Sequence, residues 1–270
     1  MLASLAAACV GVQVGSAIVA TRFVIDQTHP GSLAFLRYSI GAVCLLLPLL
    51  ASARVPFSKR DLLPLSLLGI IQFGVVVALL NYALQYIPSA RAAIIFATVP
   101  FQTMVFATVF NYERLTFPKI FGVILTIIGV GFVLGERVLQ AGNTQGWLGD
   151  IAVFISASSA AVCSVLYRPY LQRYPTLQIS SFAMFASVVF LAFLAAGENF
   201  FTAFPRFTSE GWVAVFFIGI SSGIGYYLWL WALNNTSPTK VTIFLALNPI
   251  TAAGLGAFFL GENITVTLLI

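Results

Sequence analysis

The sequence predicts an all-α integral membrane protein of ten transmembrane helices, arranged as two inverted five-helix repeats with the tenth helix truncated. Three observations predict it. The first is composition: of 270 residues, 60% are hydrophobic and 8% charged, with a mean hydropathy of +1.01, which is too little charge to cover a soluble globule of this length. The second is a series of apolar runs, each near the ~20 residues that cross about 30 Å of hydrocarbon. The third is internal duplication. The stretch Tyr82 to Thr116 recurs 149 residues later as Trp231 to Thr265, matching without gaps at Ala83/Ala232, Leu84/Leu233, Ile94/Ile243, Ala97/Ala246, Pro100/Pro249, Phe110/Phe259, Glu113/Glu262 and Thr116/Thr265. Arg91 aligns with Lys240, Gly74 with Gly223 and Asp61 with Glu210.

In chain order the predicted spans are Leu2 to Thr21, Leu33 to Ala51, Leu62 to Tyr86, Ala92 to Phe110 and Phe117 to Gly135, then Trp147 to Leu166, Leu177 to Ala196, Gly211 to Leu233 and Lys240 to Leu260. Turn chemistry separates them: HPGS at 29–32, SARVPFSKRD at 52–61, IPSAR at 87–91 and QAGNTQG at 140–146. The linkers are short, so consecutive helices are expected to pack as antiparallel neighbours. Residues Ile264 to Ile270 cover only about 10 Å of helix at 1.5 Å each and read as the start of the tenth span. The repeats divide the chain at 1–140 and 141–270. Five spans per repeat is odd, so the second repeat enters the membrane from the opposite side.

Charge sets the orientation. With a cytoplasmic N-terminus the inner loops and flanks hold Arg54, Lys59, Arg60, Arg114, Lys119, Arg168, Arg173 and Lys240, and the outer ones Arg22, Arg37, Arg91, Arg137 and Arg206. Basic residues favour the inner side, so the N-terminus is expected inside. The net charge of +5 comes from single basic residues scattered between apolar runs. That pattern gives no patch for nucleic acid, and the partners expected are a small-molecule substrate and the lipid bilayer. Cys9, Cys44 and Cys163 all fall inside apolar runs, so no disulfide or metal framework and no cofactor is expected. The first run has no basic stretch before it, and a cleaved signal peptide is not expected.

Candidate binding residues come from what breaks the apolar pattern. Pro100 and Pro249 each remove a helical hydrogen bond and free the carbonyls of Phe96 and Leu245. A packing kink explains such prolines. So does a pair of helix breaks facing a cavity near the midplane, where freed carbonyls, with Asn248 beside the second break, meet a substrate. The third and eighth spans carry stripes at helical spacing, Gly74, Ala78, Tyr82 against Gly223, Tyr227, Trp231, the latter inside the cluster YYLWLW. Interfacial anchoring is the other reading of those aromatics. Gln13 and Ser16 in the first span and Ser156 and Ser159 in the sixth are polar groups deep enough to line a cavity or to bond a neighbouring helix. Gly131/Gly135 and Gly219/Gly223 mark close packing within one subunit in preference to a dimer face, and the chain reads as a monomer or weak homodimer. The charged residues and the lone His29 are read at span ends or in loops, which argues against an intramembrane enzyme.

The paired elements from Pro100 to Glu113 and from Pro249 to Glu262, each thirteen residues long in spacing and the first followed by GVILTIIGVGFVLG, resemble the ten-helix, two-repeat EamA-type carriers of the drug/metabolite transporter superfamily. The resemblance covers nearly the whole chain. It implies transport by alternating access through a cavity lined by helices 1, 3 and 4 of one half and 6, 8 and 9 of the other. It further implies a bacterial inner-membrane location and, in members the chain resembles, export of aromatic and other neutral amino acids. The four-helix multidrug members carry a glutamate in their first helix where this chain has only Gln13 and Ser16. Uncoupled, facilitated export of neutral, aromatic amino acids or related small metabolites is therefore the expected function, with a proton-coupled antiporter of cationic or other small compounds as the alternative.

Overall fold

The computed structural model describes residues 2–52, 55–112, 121 and 146–261. Among them, eight helical segments are long and apolar enough to cross a membrane: α1 Leu2–Gln27, α2 Pro30–Leu50, α3 Lys59–Ala83, α4 Arg91–Val109, α5 Gly146–Leu171, α6 Thr176–Gly197, α7 Ser209–Asn235 and α8 Pro238–Leu260. No strand occurs among the described residues. α5 to α8 are the sixth to ninth spans of the sequence reading. The fifth span, the tenth helix, Glu113, Glu262 and the pair Gly131/Gly135 lie outside the described residues.

The helix starts follow local chemistry. α2 opens on Pro30, whose fixed φ suits a first turn and whose missing N–H costs nothing there. The side chain of Glu198, from the end of α6, then accepts from the amides of Gly31 (2.9 Å) and Ser32 (2.6 Å) and from the Ser32 hydroxyl (2.7 Å). α7 opens with the Thr208 hydroxyl accepting from the Gly211 amide at 3.0 Å and Glu210 in the first turn, both favourable at the positive end of a helix. α8 ends at Gly261, whose φ of +64° closes the last turn in the left-handed region that glycine tolerates.

Three helices change geometry in their interior. α3 holds a π-helical stretch at Ile70–Val75. α4 is interrupted between Phe96 and Val99 just before Pro100, and α8 tightens to a 3-10 turn at Ile243–Ala246 just before Pro249. The proline ring cannot sit against the carbonyl four residues earlier and has no N–H to give, so each helix lets go there. In α4 the gap is bridged by Thr98: its hydroxyl donates to the Ile95 carbonyl at 2.7 Å and accepts from the Gln102 amide at 2.9 Å.

α1 lies against α7 and α8, α2 against α6 and α7, α3 against α5 and α6, and α4 against α5 and α8. Each described helix of the first half is thus flanked by two from the second, and the core is the seam between halves. The short linkers point to consecutive helices packing as antiparallel neighbours, and α2 does touch α3 and α6 touch α7, but the denser packing runs between the halves. Small residues set where that packing is densest. A Cβ on Gly11 would lie 2.2 Å from the Phe244 carbonyl oxygen, one on Gly69 2.2 Å from that of Ala183, and one on Gly223 2.8 Å from that of Gly41. Between helices in lipid there is no hydrophobic drive, so association goes where backbones can approach and dispersion contacts are densest. Gly219 and Gly223 face Ile40 and Gly41 of the same chain, which is packing within the subunit as the sequence suggested.

Candidate functional site

A cavity lies in the seam between the halves. It is lined by Val10, Gln13, Val14, Ala17 and Ile18 of α1, Arg37 and Tyr38 of α2, residues between Gln72 and Leu80 of α3, Phe96 and Val99 of α4, Ala160 of α5, residues between Ser222 and Trp229 of α7, and Leu245 of α8. The centre of a water-sized sphere can move through about 100 Å³ of it, several times the ~10–15 Å³ that one water needs. Two other hollows lie at the periphery, one at the span ends around His29 and Glu198 and one on the outer flank between Phe23, Phe217 and Phe259.

The lining has a register. Under the 149-residue shift that aligns the duplicated stretches, Phe73, Val76, Val77 and Leu80 of α3 fall on Ser222, Gly225, Tyr226 and Trp229 of α7, and Phe96 of α4 falls on Leu245 of α8. All ten line the cavity. Corresponding positions of the two halves therefore meet around one space.

One wall is aromatic. The rings of Tyr38 and Phe73 lie 4.8 Å apart and those of Phe73 and Tyr226 4.1 Å apart, edge against face, with Tyr167 behind Tyr226 at 6.2 Å. Trp229 completes that side. Such walls hold an apolar or aromatic body by edge and face contacts worth about 0.5–1.5 kcal/mol per ring pair beyond area burial.

The polar groups are few. The Gln13 amide donates to the Ser221 hydroxyl at 3.2 Å, and its oxygen sits in the notch left by Gly225, where a Cβ would lie only 2.7 Å away. The Gln72 side-chain oxygen is buried and has no hydrogen-bond partner among the described residues. Arg37 is the one charged side chain in the lining among the described residues. It is 8% exposed, its Nε donates to the Ser222 hydroxyl at 2.6 Å, and its guanidinium carbon lies 5.4 Å from the centre of the Tyr38 ring.

Of the residues expected at the site from sequence, Gln13, Phe96 and Leu245 line this cavity. The others sit elsewhere. Gly74 is covered by the Phe190 ring, 2.7 Å from where its Cβ would be. Ala78 is half-buried off the lining, and Tyr82 is 36% exposed and packs on Tyr86 at 5.0 Å. Tyr227 and Trp231 are half-buried on the opposite face of α7. Ser16 turns to the outer groove and donates to its own helix at Val12. Ser159 does the same toward Ile155, and Ser156 donates to the Val76 carbonyl at 2.7 Å as a tie between α5 and α3. Pro100 and Pro249 shape the breaks without lining the cavity, and Asn248 is fully buried with its amide unpartnered among the described residues.

The reason for these displacements is helix phase. In YYLWLW a Tyr and a Trp point each way, so spacing selects between faces only when the facing helices are known. Residues 222, 225, 226 and 229 satisfy helical periodicity as well as 223, 227 and 231 do. The sequence reading missed Arg37 and Tyr38 by placing Arg37 at a span end. It is the eighth residue of α2, about 10 Å along the helix, and its long side chain reaches inward. The signal was there: a single arginine inside the run LAFLRYSIGAV. Asp150, at the start of α5, is ion-paired with Arg91.

Comparison with known proteins agrees with this architecture. The sequence profile of the EamA-like transporter family matches residues 1–135 and 147–270. A probable terminal-alkyne amino-acid exporter of Streptantibioticus cattleyicolor is 29% identical over 252 residues, covering 92% of this chain and 82% of that protein. The uncharacterized inner membrane transporter YedA of Escherichia coli K12 is 28% identical over 261 residues, covering 93% and 80%. A solved crystal structure superposes with a TM-score of 0.74 at 20% identity, over 99% of this chain and 90% of that one, and so shares the fold. With its helices, its seam cavity and its near-complete match to the profile, the chain belongs to the EamA-like transporter family and is a multi-pass membrane transporter.

Proposed function

We propose that the chain exports neutral, aromatic amino acids or related small metabolites by alternating access, downhill and without ion coupling. In this reading it has ten transmembrane helices in two inverted repeats, 1–140 and 141–270, with the N-terminus cytoplasmic and the chain in a bacterial inner membrane. The observation that carries the reading is the cavity itself, closed by corresponding positions of the two halves. A site on the axis between repeats can open to either side by rocking one repeat against the other. The aromatic wall of Tyr38, Phe73, Tyr226 and Trp229 suits an aromatic side chain. The exporter from Streptantibioticus supports an amino-acid-like cargo by its name. No carboxylate lines the cavity among the described residues, which disfavours a proton-coupled carrier of cationic drugs, since such a cargo needs a buried counter-charge.

The test is purified protein in proteoliposomes with labelled phenylalanine at equal concentration on both sides and an imposed pH gradient. The expected result is exchange faster than in empty liposomes with no net accumulation. Accumulation that collapses with a protonophore would contradict the uncoupled mechanism. Exchange no faster than in empty liposomes, for phenylalanine and for a panel of other aromatic metabolites, would contradict the substrate class.

A further inference from the structure

A charged side chain inside a membrane protein is normally paired, because an isolated charge at depth costs at least a few kcal/mol. Arg37 departs from that rule. Its two contacts are with neutral groups, the Nε bond to the Ser222 hydroxyl and the Tyr38 ring beneath it, and the cavity lies in front. The ion pairs among the described residues are Arg22–Asp26, Arg91–Asp150 and Arg173–Asp61, all at or near helix ends. Ser222 in turn donates to the Ile218 carbonyl, so its oxygen is fixed as the acceptor for Nε. That arrangement pins one edge of the guanidinium and leaves the two terminal nitrogens, four N–H donors in one plane, for something else. A planar fork of that kind matches the two oxygens of a carboxylate.

Resting on the reading of the chain as a carrier of aryl metabolites, we infer that its substrates are recognised through a carboxylate bound by Arg37, with an amine optional: the preferred class is a monocarboxylate bearing an aromatic or large apolar body. The charge balance leads there. With Arg37 the one charged side chain of the lining among the described residues, the empty cavity carries one positive charge. A monocarboxylate neutralises it, a zwitterion leaves it as it was, and an amine doubles it. The ammonium of a zwitterion meets no opposite charge in the lining among the described residues, so a zwitterionic amino acid ranks behind the monoanion. The aromatic body then lies along Tyr38, Phe73, Tyr226 and Trp229. Ser222 is a positioning residue in this scheme, acting through Arg37.

The experiment compares three labelled probes that share one ring and differ only in charge: 3-phenylpropanoate, phenylalanine and 2-phenylethylamine, each measured by counterflow in proteoliposomes holding the wild-type chain, Arg37→Lys or Arg37→Gln. Expected is transport of 3-phenylpropanoate at least as efficient as that of phenylalanine, with 2-phenylethylamine at the rate of empty liposomes. Arg37→Gln should lower counterflow of both carboxylates about 10-fold or more, the scale of a lost charge-assisted pair, with Arg37→Lys in between. If the variants fail to fold, the wild-type probe series decides alone. Transport of 2-phenylethylamine as efficient as that of phenylalanine, or a folded Arg37→Gln that moves 3-phenylpropanoate at the wild-type rate, would overturn the inference while leaving the carrier reading in place. If none of the three probes moves, the carrier reading itself fails and the inference with it.

Discussion

Glu198 shows how one side chain sets the geometry of the site from outside it. It stands at the end of α6 and accepts three hydrogen bonds from the first turn of α2, the helix that carries Arg37 and Tyr38 into the cavity. Two otherwise orphaned amides and a hydroxyl are satisfied by one carboxylate, at the end of a helix where negative charge is favoured. Glu198→Ala is expected to cost about 1–3 kcal/mol of stability, read as a lower melting temperature in detergent, with Glu198→Gln losing less. An unchanged melting temperature in Glu198→Ala would mean that water replaces the carboxylate without loss. Legibility at this scale is uneven. Gln13 could be placed from sequence because a lone amide in the middle of an apolar span has few places to go. Arg37 was flagged by its place inside the run LAFLRYSIGAV but not oriented by it, since an arginine eight residues into a helix reads equally as an interfacial anchor and only the arrangement of neighbouring helices shows which way its side chain runs.

The elements that distinguish this chain from a plain helical bundle are the two broken helices. The interruptions fall at corresponding points, between Phe96 and Val99 in α4 and at Ile243–Ala246 in α8, and the sequence foretold both because proline acts through local sterics that no tertiary context removes. What the sequence did not reveal is what faces each break. In α8 the Phe244 and Asn248 carbonyl oxygens approach Gly11 and Gly15 of α1 so closely that a Cβ on either glycine would lie 2.2 Å and 2.8 Å from them. The π-helical stretch of α3 was also hidden, since nothing in IIQFGV departs from ordinary helical composition. The breaks can be tested as mobile joints. Pro100→Ala and Pro249→Ala each restore an N–H, and alanine is a far better helix former, so stability should hold or rise by up to about 3 kcal/mol while counterflow of the carried substrate slows. Full transport in both variants would reduce the breaks to packing kinks.

At the scale of the molecule, the duplication was readable from sequence because the second copy preserves residues at the same separation, 149 positions on. The same shift maps the cavity lining of α3 onto that of α7. Helix phase was not readable, because Tyr226, Tyr227, Trp229 and Trp231 offer aromatic surface on opposite faces of one helix and only the packing of α7 on α1 and α2 selects between them. The selection is made by glycine: Gly223 and Gly219 turn to α2 and Gly225 receives Gln13, which rotates Tyr226 and Trp229 to the centre. A seam built from small residues on both sides keeps the halves in register while leaving a space between them, and it is this space that the account makes the pathway.

That claim is tested most directly by a single cysteine at Leu80, which lines the cavity from α3 and is 5% exposed, in a chain whose Cys9, Cys44 and Cys163 have been replaced. A small charged thiol reagent that does not cross membranes is applied from one side or the other of sealed vesicles, with cysteines at exposed Arg206 and exposed Lys59 as markers of the outer and inner faces in the proposed orientation. The account predicts that Leu80→Cys reacts from both sides and that 3-phenylpropanoate slows both reactions, while Arg206→Cys reacts only from outside and Lys59→Cys only from inside. Reaction of Leu80→Cys from a single side, with both markers behaving as expected, would contradict alternating access through this cavity.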